Sequence, residues 1–268
     1  MQPHQVPYKT INDVTLQLHL FTPDRTIYPG PRPAILFFFG GGWMSGTAEQ
    51  FYSLCEHFAR RGFVAASADY RIQSKHGSTP FDSVEDGADA LSFLRGKTEE
   101  WSIDPQRVVA AGGSAGGHLA ACTALFGHGS GSGASAAGPD ALVLFNPVLD
   151  TTATGYLAGV PRLLGRELEL SPAHHVRGGL PPTLIMHGTA DQVAPYENGE
   201  RFHRQMLEHG NRCTLVPFEG RGHGFFNKGH ANGQPGDLEE TIRYAERFLH
   251  ELGYPLGQSG QGWQVSER

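Results

Sequence analysis

The chain has 268 residues, of which 39% are hydrophobic, enough for one full core. Twenty-one Lys and Arg against 27 Asp and Glu give a net charge of −6 with no basic cluster, which argues against a nucleic-acid partner. The longest apolar run, Ala34 to Phe39, is too short to span a bilayer, so a membrane partner is not expected either. Glycine is the outlier: 36 of 268 residues, about twice ordinary usage.

Short β-type runs alternate with longer helical stretches. Val14 to Phe21 alternates apolar and polar residues and predicts a half-buried edge strand. Ala34 to Phe39 predicts a buried strand, Gln50 to Arg61 a helix and Phe63 to Ala68 another strand. Phe81 to Leu94, just after Pro80, places Val84, Ala88, Leu91 and Leu94 on one helical face. Arg107 to Ala111 reads as a strand and His118 to Leu125 as a helix of small residues. Ala141 to Phe145 and Thr183 to His187 read as buried strands, and Glu197 to His209 as a helix ended by Gly210. Cys213 to Pro217 is a short strand, and Leu238 to Leu252 a closing helix stopped by Gly253. Such alternation predicts one α/β domain over 1–268, a mainly parallel sheet with helices on both faces. Gly127 to Gly138 reads as a flexible loop, Thr151 to Gly179 as a small lid, and 257–268 as a frayed tail with Trp263 as its candidate anchor. Cys55, Cys122 and Cys213 have neither metal-clip nor redox spacing, and one disulfide stays open. The first residues, MQPHQVPYKTINDV, lack a basic start followed by an apolar run, so no secretory leader is expected in this chain, and the compartment stays open.

In open α/β sheets ligands bind beyond the carboxyl ends of the strands, so the chemistry is sought there. After Arg107 to Ala111 comes Gly112-Gly113-Ser114-Ala115-Gly116-Gly117, a Gly-x-Ser-x-Gly turn from strand to helix that strains Ser114 and exposes its hydroxyl. After the first buried strand comes Phe39-Gly40-Gly41-Gly42-Trp43. Its glycines free backbone N–H groups, and those of Gly41 and Gly42, with that of Ala115, suit an oxyanion. The third strand end carries Asp191 in His187-Gly188-Thr189-Ala190-Asp191, and the fourth carries His223 in Gly220-Arg221-Gly222-His223-Gly224-Phe225. The chain order Ser114, Asp191, His223 is that of a nucleophile, an orienting acid and a base. Asp150 is the alternative acid. Asp69-Tyr70-Arg71 reads as loop-tying ion pairs, and His174-His175 as loop residues without ligand spacing. Trp43 and Phe225 are expected as pocket walls.

Taken together, GGGW, GGSAGG, HGTADQVAP and GRGHGF resemble the α/β-hydrolase esterases, more narrowly the hormone-sensitive-lipase-like and acetylxylan/feruloyl esterase groups, over roughly residues 12 to 252. Asp69-Tyr70-Arg71-Ile72, Pro80-Phe81 and Asp86 are similar to that group as well. The resemblance implies a serine carboxylesterase with no metal or organic cofactor, acting on small or polysaccharide-linked esters of short or aromatic acids. A prolyl-oligopeptidase-like peptidase, an arylformamidase and an inactive hydrolase-fold binding module are its rivals; oligomeric state is unreadable. The family usually has His before its glycine triplet, where this chain has Phe39, so packing is expected to hold the loop. Only about ten residues precede the first expected strand, which implies an open site without an N-terminal helical cap.

Overall fold

The computed structural model describes residues 1–126, 138–152, 155–156, 163 and 165–257. Its strands are β1 (His4–Ile11), β2 (Val14–Phe21), β3 (Arg32–Phe38), β4 (Val64–Ala68), β5 (Ile103–Gly113), β6 (Ala141–Phe145), β7 (Thr183–Gly188) and β8 (Cys213–Phe218). The helices are α1 (Tyr52–Arg60), α2 (Gln73–His76), α3 (Pro80–Gly96), α4 (Ala115–Leu125), α5 (Tyr196–Glu208) and α6 (Asp237–Glu251). The strands form one sheet in the order β1-β2-β4-β3-β5-β6-β7-β8. Pairs β1/β2 and β2/β4 are antiparallel and the rest are parallel.

Alternation along β3 decides which helix covers which face, because neighbouring side chains leave a strand on opposite sides. Phe37 stacks on Phe51 at 5.0 Å and meets Phe58 of α1 at 6.1 Å. Phe38 instead reaches the place where Gly87 of α3 meets Leu119 of α4. α6 joins the α1 face, where Glu246 accepts bonds from His57 at 2.8 Å and Arg61 at 2.6 Å. Helix α3 starts on a capping box between Thr79 and Asp82, with Pro80 in its first turn. This architecture is the α/β-hydrolase fold.

Several expectations need correction. Strand β1 was not expected. None of its residues is fully buried, and Pro7 stands beside a bulge, as proline tolerates at a sheet edge. β2 is therefore an inner strand and not the edge. The buried face of α3 is Ser83, Gly87, Ala90, Leu91 and Leu94, while Val84 and Ala88 are half-buried, because small residues admit α4 closely. All three cysteines are free and buried. In the lid segment Tyr156 and Leu163 are buried, and two short 3₁₀ turns, Glu167–Leu170 and Pro172–His174, follow. The expectations for 127–137, for 153–154, 157–162 and 164 of the lid segment, and for 258–268 with Trp263 lie outside the described residues.

The Asp69-Tyr70-Arg71 segment does tie loops together. Asp86 is fully buried and accepts bonds from Arg71 Nε at 2.7 Å, the Arg71 backbone N–H at 2.9 Å and Lys9 Nζ at 2.7 Å. This cluster fastens β1 and the loop after β4 onto α3.

Candidate active site

The chain leaves β3 through α1 toward β4 and later returns to β5 on the other side of β3. Because α1 and α4 lie on opposite faces, the loops after β3 and β5 part and leave a crevice between them. Those two loops are the glycine triplet and the Ser114 turn. Around them opens a cavity of about 600 Å³ lined by Gly41, Gly42, Ser114, Asn146, Tyr156 and His223, among others.

Ser114 sits at φ 54°, ψ −120°, a conformation that costs a non-glycine residue on the order of 1–3 kcal/mol. The turn is held by its N–H bonding the Phe145 carbonyl at 3.0 Å, and by the N–H groups of His118 and Val148 on the Ser114 carbonyl at 3.0 and 3.2 Å. Gly116 is required here, since a Cβ would run into the Phe38 and Phe39 carbonyl oxygens.

Ser114 Oγ lies 2.8 Å from His223 Nε2, and His223 Nδ1 lies 2.7 Å from Asp191 Oδ2. A carboxylate only accepts, so Nδ1 carries the proton, and Nε2 is left to accept from the serine hydroxyl. Asp191 Oδ1 accepts the N–H groups of Val193 and Ala194 at 2.9 and 3.0 Å. Burial opposes ionisation of Asp191, but the hydrogen bonds and charge interactions of His187 and His223 outweigh it and hold the carboxyl well below the usual carboxylate range.

The glycine loop presents two backbone donors. Gly41 and Gly42 have φ of 131° and 61°, and the Gly41 carbonyl is taken by the N–H groups of Met44 and Ser45 at 3.0 and 3.1 Å. Among the described residues the N–H groups of Gly41, Gly42 and Ala115 engage no carbonyl oxygen. Phe39 holds the loop by packing: its ring stacks on Tyr70 at 4.0 Å, and Tyr70 OH donates to its carbonyl at 2.8 Å.

Two expected pocket walls are elsewhere. Trp43 and Phe225 are both 1% exposed, and neither lines the cavity. Trp43 turns inward, edge-on to His118 at 5.0 Å and to Tyr156 at 5.7 Å, while Phe225 packs on Phe218 at 4.5 Å. Tyr156 and Phe226 supply the aromatic wall. Asp150 is paired with Arg201 and accepts the Thr152 N–H, so Asp191 and not Asp150 meets His223. His174 and His175 bond Ser171 Oγ and the Leu168 carbonyl, as loop residues do. Sequence reasoning missed His187, Gln50, Asn146 and Asn227. For His187 a signal existed in its place four residues before Asp191. Among the described residues no group of three or more His, Cys, Asp or Glu converges as metal ligands would, and no helix is long and apolar enough to cross a membrane.

A family profile described as BD-FAE matches residues 18–150. The propionate-bound structure of a thermophilic esterase, Est2 of Thermogutta terrifontis, is 41% identical over 97% of both chains, with a TM-score of 0.87. The chain belongs to the α/β-hydrolase esterases. Relatives in this group include a probable isoprenylcysteine alpha-carbonyl methylesterase of Arabidopsis thaliana, 26% identical over 77% of this chain and 48% of its own. An acetylxylan esterase of Xylanibacter ruminicola is 27% identical over 94% of this chain and 51% of its own. The chain spans about half the length of the curated relatives it matches.

Proposed function

We propose that this esterase-family chain hydrolyses carboxylic esters of short acids by a serine acyl-enzyme mechanism. The observation that carries the reading is the continuous line from Ser114 Oγ through His223 to Asp191, at 2.8 and 2.7 Å. Ser114 Oγ attacks the ester carbonyl as its proton passes to His223 Nε2, and Asp191 stabilises the imidazolium that forms. The carbonyl oxygen, now negative, lies against the N–H groups of Gly41, Gly42 and Ala115. Collapse breaks the C–O bond, and the alcohol leaves with the proton from His223. Water, deprotonated by the same imidazole, then attacks the acyl-serine and frees the acid and the serine.

Acyl and alcohol preference are drawn from the site and its relatives. Tyr156 and Phe226 bound the cavity with aromatic surface, while Ser45, Ser74, Asn227 and His230 give it polar wall. Such a lining suits a small acyl group on a polar alcohol such as a sugar hydroxyl. The propionate in the Thermogutta terrifontis structure and the acetylxylan esterase relative point the same way.

A substrate series tests this. p-Nitrophenyl acetate, butyrate and palmitate, acetylated xylan and methyl ferulate are offered to the protein and to Ser114→Ala. The expected outcome is fastest turnover on acetate to butyrate, at least about a hundredfold less on palmitate, acetate release from xylan, and loss of all of it in Ser114→Ala. Equal turnover of palmitate and acetate contradicts the short-acyl reading.

A further inference from the structure

Gly40 opens the glycine loop and Gly224 directly follows His223, and both line the cavity. Two side-chain amides join them. The Gly40 N–H donates to Gln50 Oε1 at 2.6 Å, Gln50 Nε2 donates to Asn227 Oδ1 at 3.1 Å, and Asn227 Nδ2 donates to the Gly224 carbonyl at 3.0 Å. Each direction is forced, because a backbone N–H only donates and a carbonyl only accepts, so both amides have a single orientation. On its other side the Gly224 peptide is held by its N–H on Asn146 Oδ1 at 3.3 Å. The bridge also has a fixed base. Gln50 lies in the 3₁₀ turn Ala48–Phe51 that leads into α1, and the Ala48 carbonyl accepts Ser67 Oγ of β4 at 2.9 Å.

We propose that Gln50 and Asn227 form a positioning bridge that keeps the Gly41 and Gly42 donors in register with His223. The proposal rests on the esterase reading of Ser114. An acyl-transfer site needs its oxyanion donors and its base set relative to each other, not merely each to the serine. Phe39 cannot do this, since its stacking on Tyr70 and the Tyr70 OH on its carbonyl tie that peptide to the loop after β4 and make no link toward His223. Gln50 supplies that hold at the Gly40 N–H, and Asn227 carries it across to the peptide behind the base. Neither side chain touches the reacting atoms in this role, so their loss displaces donors without removing them.

The test compares Gln50→Leu, Gln50→Glu, Asn227→Ala and the Gln50→Leu/Asn227→Ala double variant with the parent protein on p-nitrophenyl acetate, with kcat and KM resolved and thermal melts alongside. Removing an oxyanion donor costs about 10²–10³ in kcat, so displacing two is expected to cost about 10- to 100-fold, with KM changed less than about threefold. The double variant is expected to fall no further than the worse single one, since both cut the same bridge. Gln50→Glu still accepts from Gly40 but no longer donates to Asn227, and is expected between parent and Gln50→Leu. Parent-like kcat in folded variants, losses that multiply, or a loss carried wholly by KM overturns the proposal. Should Gln50→Leu not fold, Gln50→Glu and Asn227→Ala decide alone, and parent-like kcat in both overturns it. Ser114→Ala is the control: turnover in that variant means the esterase reading has failed, whereas an inactive Ser114→Ala beside parent-like bridge variants means that only the bridge has.

Discussion

His187 Nε2 lies 3.2 Å from Asp191 Oδ2, the same oxygen that faces His223. That ring is fully buried and also lies 2.8 Å from the Ala194 carbonyl, so Nε2 carries one proton that it shares between Ala194 and Asp191, beside the His223 donor. Replacing His187 by Phe removes that shared donor. The expected result is a kcat lower by about tenfold with KM little changed, the scale of one hydrogen bond to a charged group. Unchanged kcat means the contact is only structural.

Ionised Asp191 also stabilises the fold. Its pKa lies below the ordinary 3.8, so its contribution is complete above that value and is lost as pH falls through and below it. The stability gap between the parent protein and Asp191→Asn in urea is expected to be constant near neutrality and to narrow below about pH 4. A gap independent of pH down to 3 contradicts the depressed pKa.

A second titration involves His118, one turn into α4 and fully buried. Burial, against its bond to the Leu170 carbonyl at 2.8 Å, takes its pKa from 6.5 down to about 4. The folded protein keeps this ring neutral where the unfolded chain protonates it. Stability is therefore full above pH 6.5, erodes as pH falls toward 4 and loses no more below that, by on the order of 3 kcal/mol in all. Urea unfolding at pH 7 and pH 4.5 is expected to show a larger drop in the parent than in His118→Gln. Equal drops contradict it.

Gly116→Ala puts a methyl group against the Phe38 and Phe39 carbonyl oxygens, both backbone atoms that cannot swing away. The expected cost is about 3 kcal/mol of stability, measured in urea, together with lost activity, because the Ser114 turn must open to make room. A stable, active Gly116→Ala contradicts the packing described.

Asp86→Ala leaves Lys9 and Arg71 without the buried carboxylate between them. Lys9 keeps Asp89 at 2.6 Å and Arg71 keeps Asp82 at 3.2 Å, so the expected cost is about 3 kcal/mol, the low end for a broken buried pair, and β1 is loosened and not freed. Limited proteolysis is expected to cut at His4–Ile11 in the variant before the parent protein. Identical cleavage patterns contradict the fastening role.

The parts of the candidate site that depend on the ends of strands were legible in the sequence. Ser114, Asp191 and His223 each follow an apolar run, and the parallel register of β5 through β8 carries those run ends to one side of the sheet. The sequence was blind where the answer depends on which way a side chain leaves a loop. Trp43 follows the glycine triplet yet turns inward at φ 59°, edge-on to His118 and Tyr156. Gln50 and Asn227 are far apart in sequence and carry no motif, so only folding brings their amides together. Strand β1 escaped because an edge strand needs backbone pairing more than apolar periodicity.

The most direct measurement treats the folded protein with a fluorophosphonate probe and reads the adduct by peptide mass spectrometry. The expected result is a single adduct, on the peptide carrying Ser114, absent from Ser114→Ala and formed much more slowly in His223→Ala. Ester hydrolysis by protein that takes no adduct on Ser114 contradicts the account.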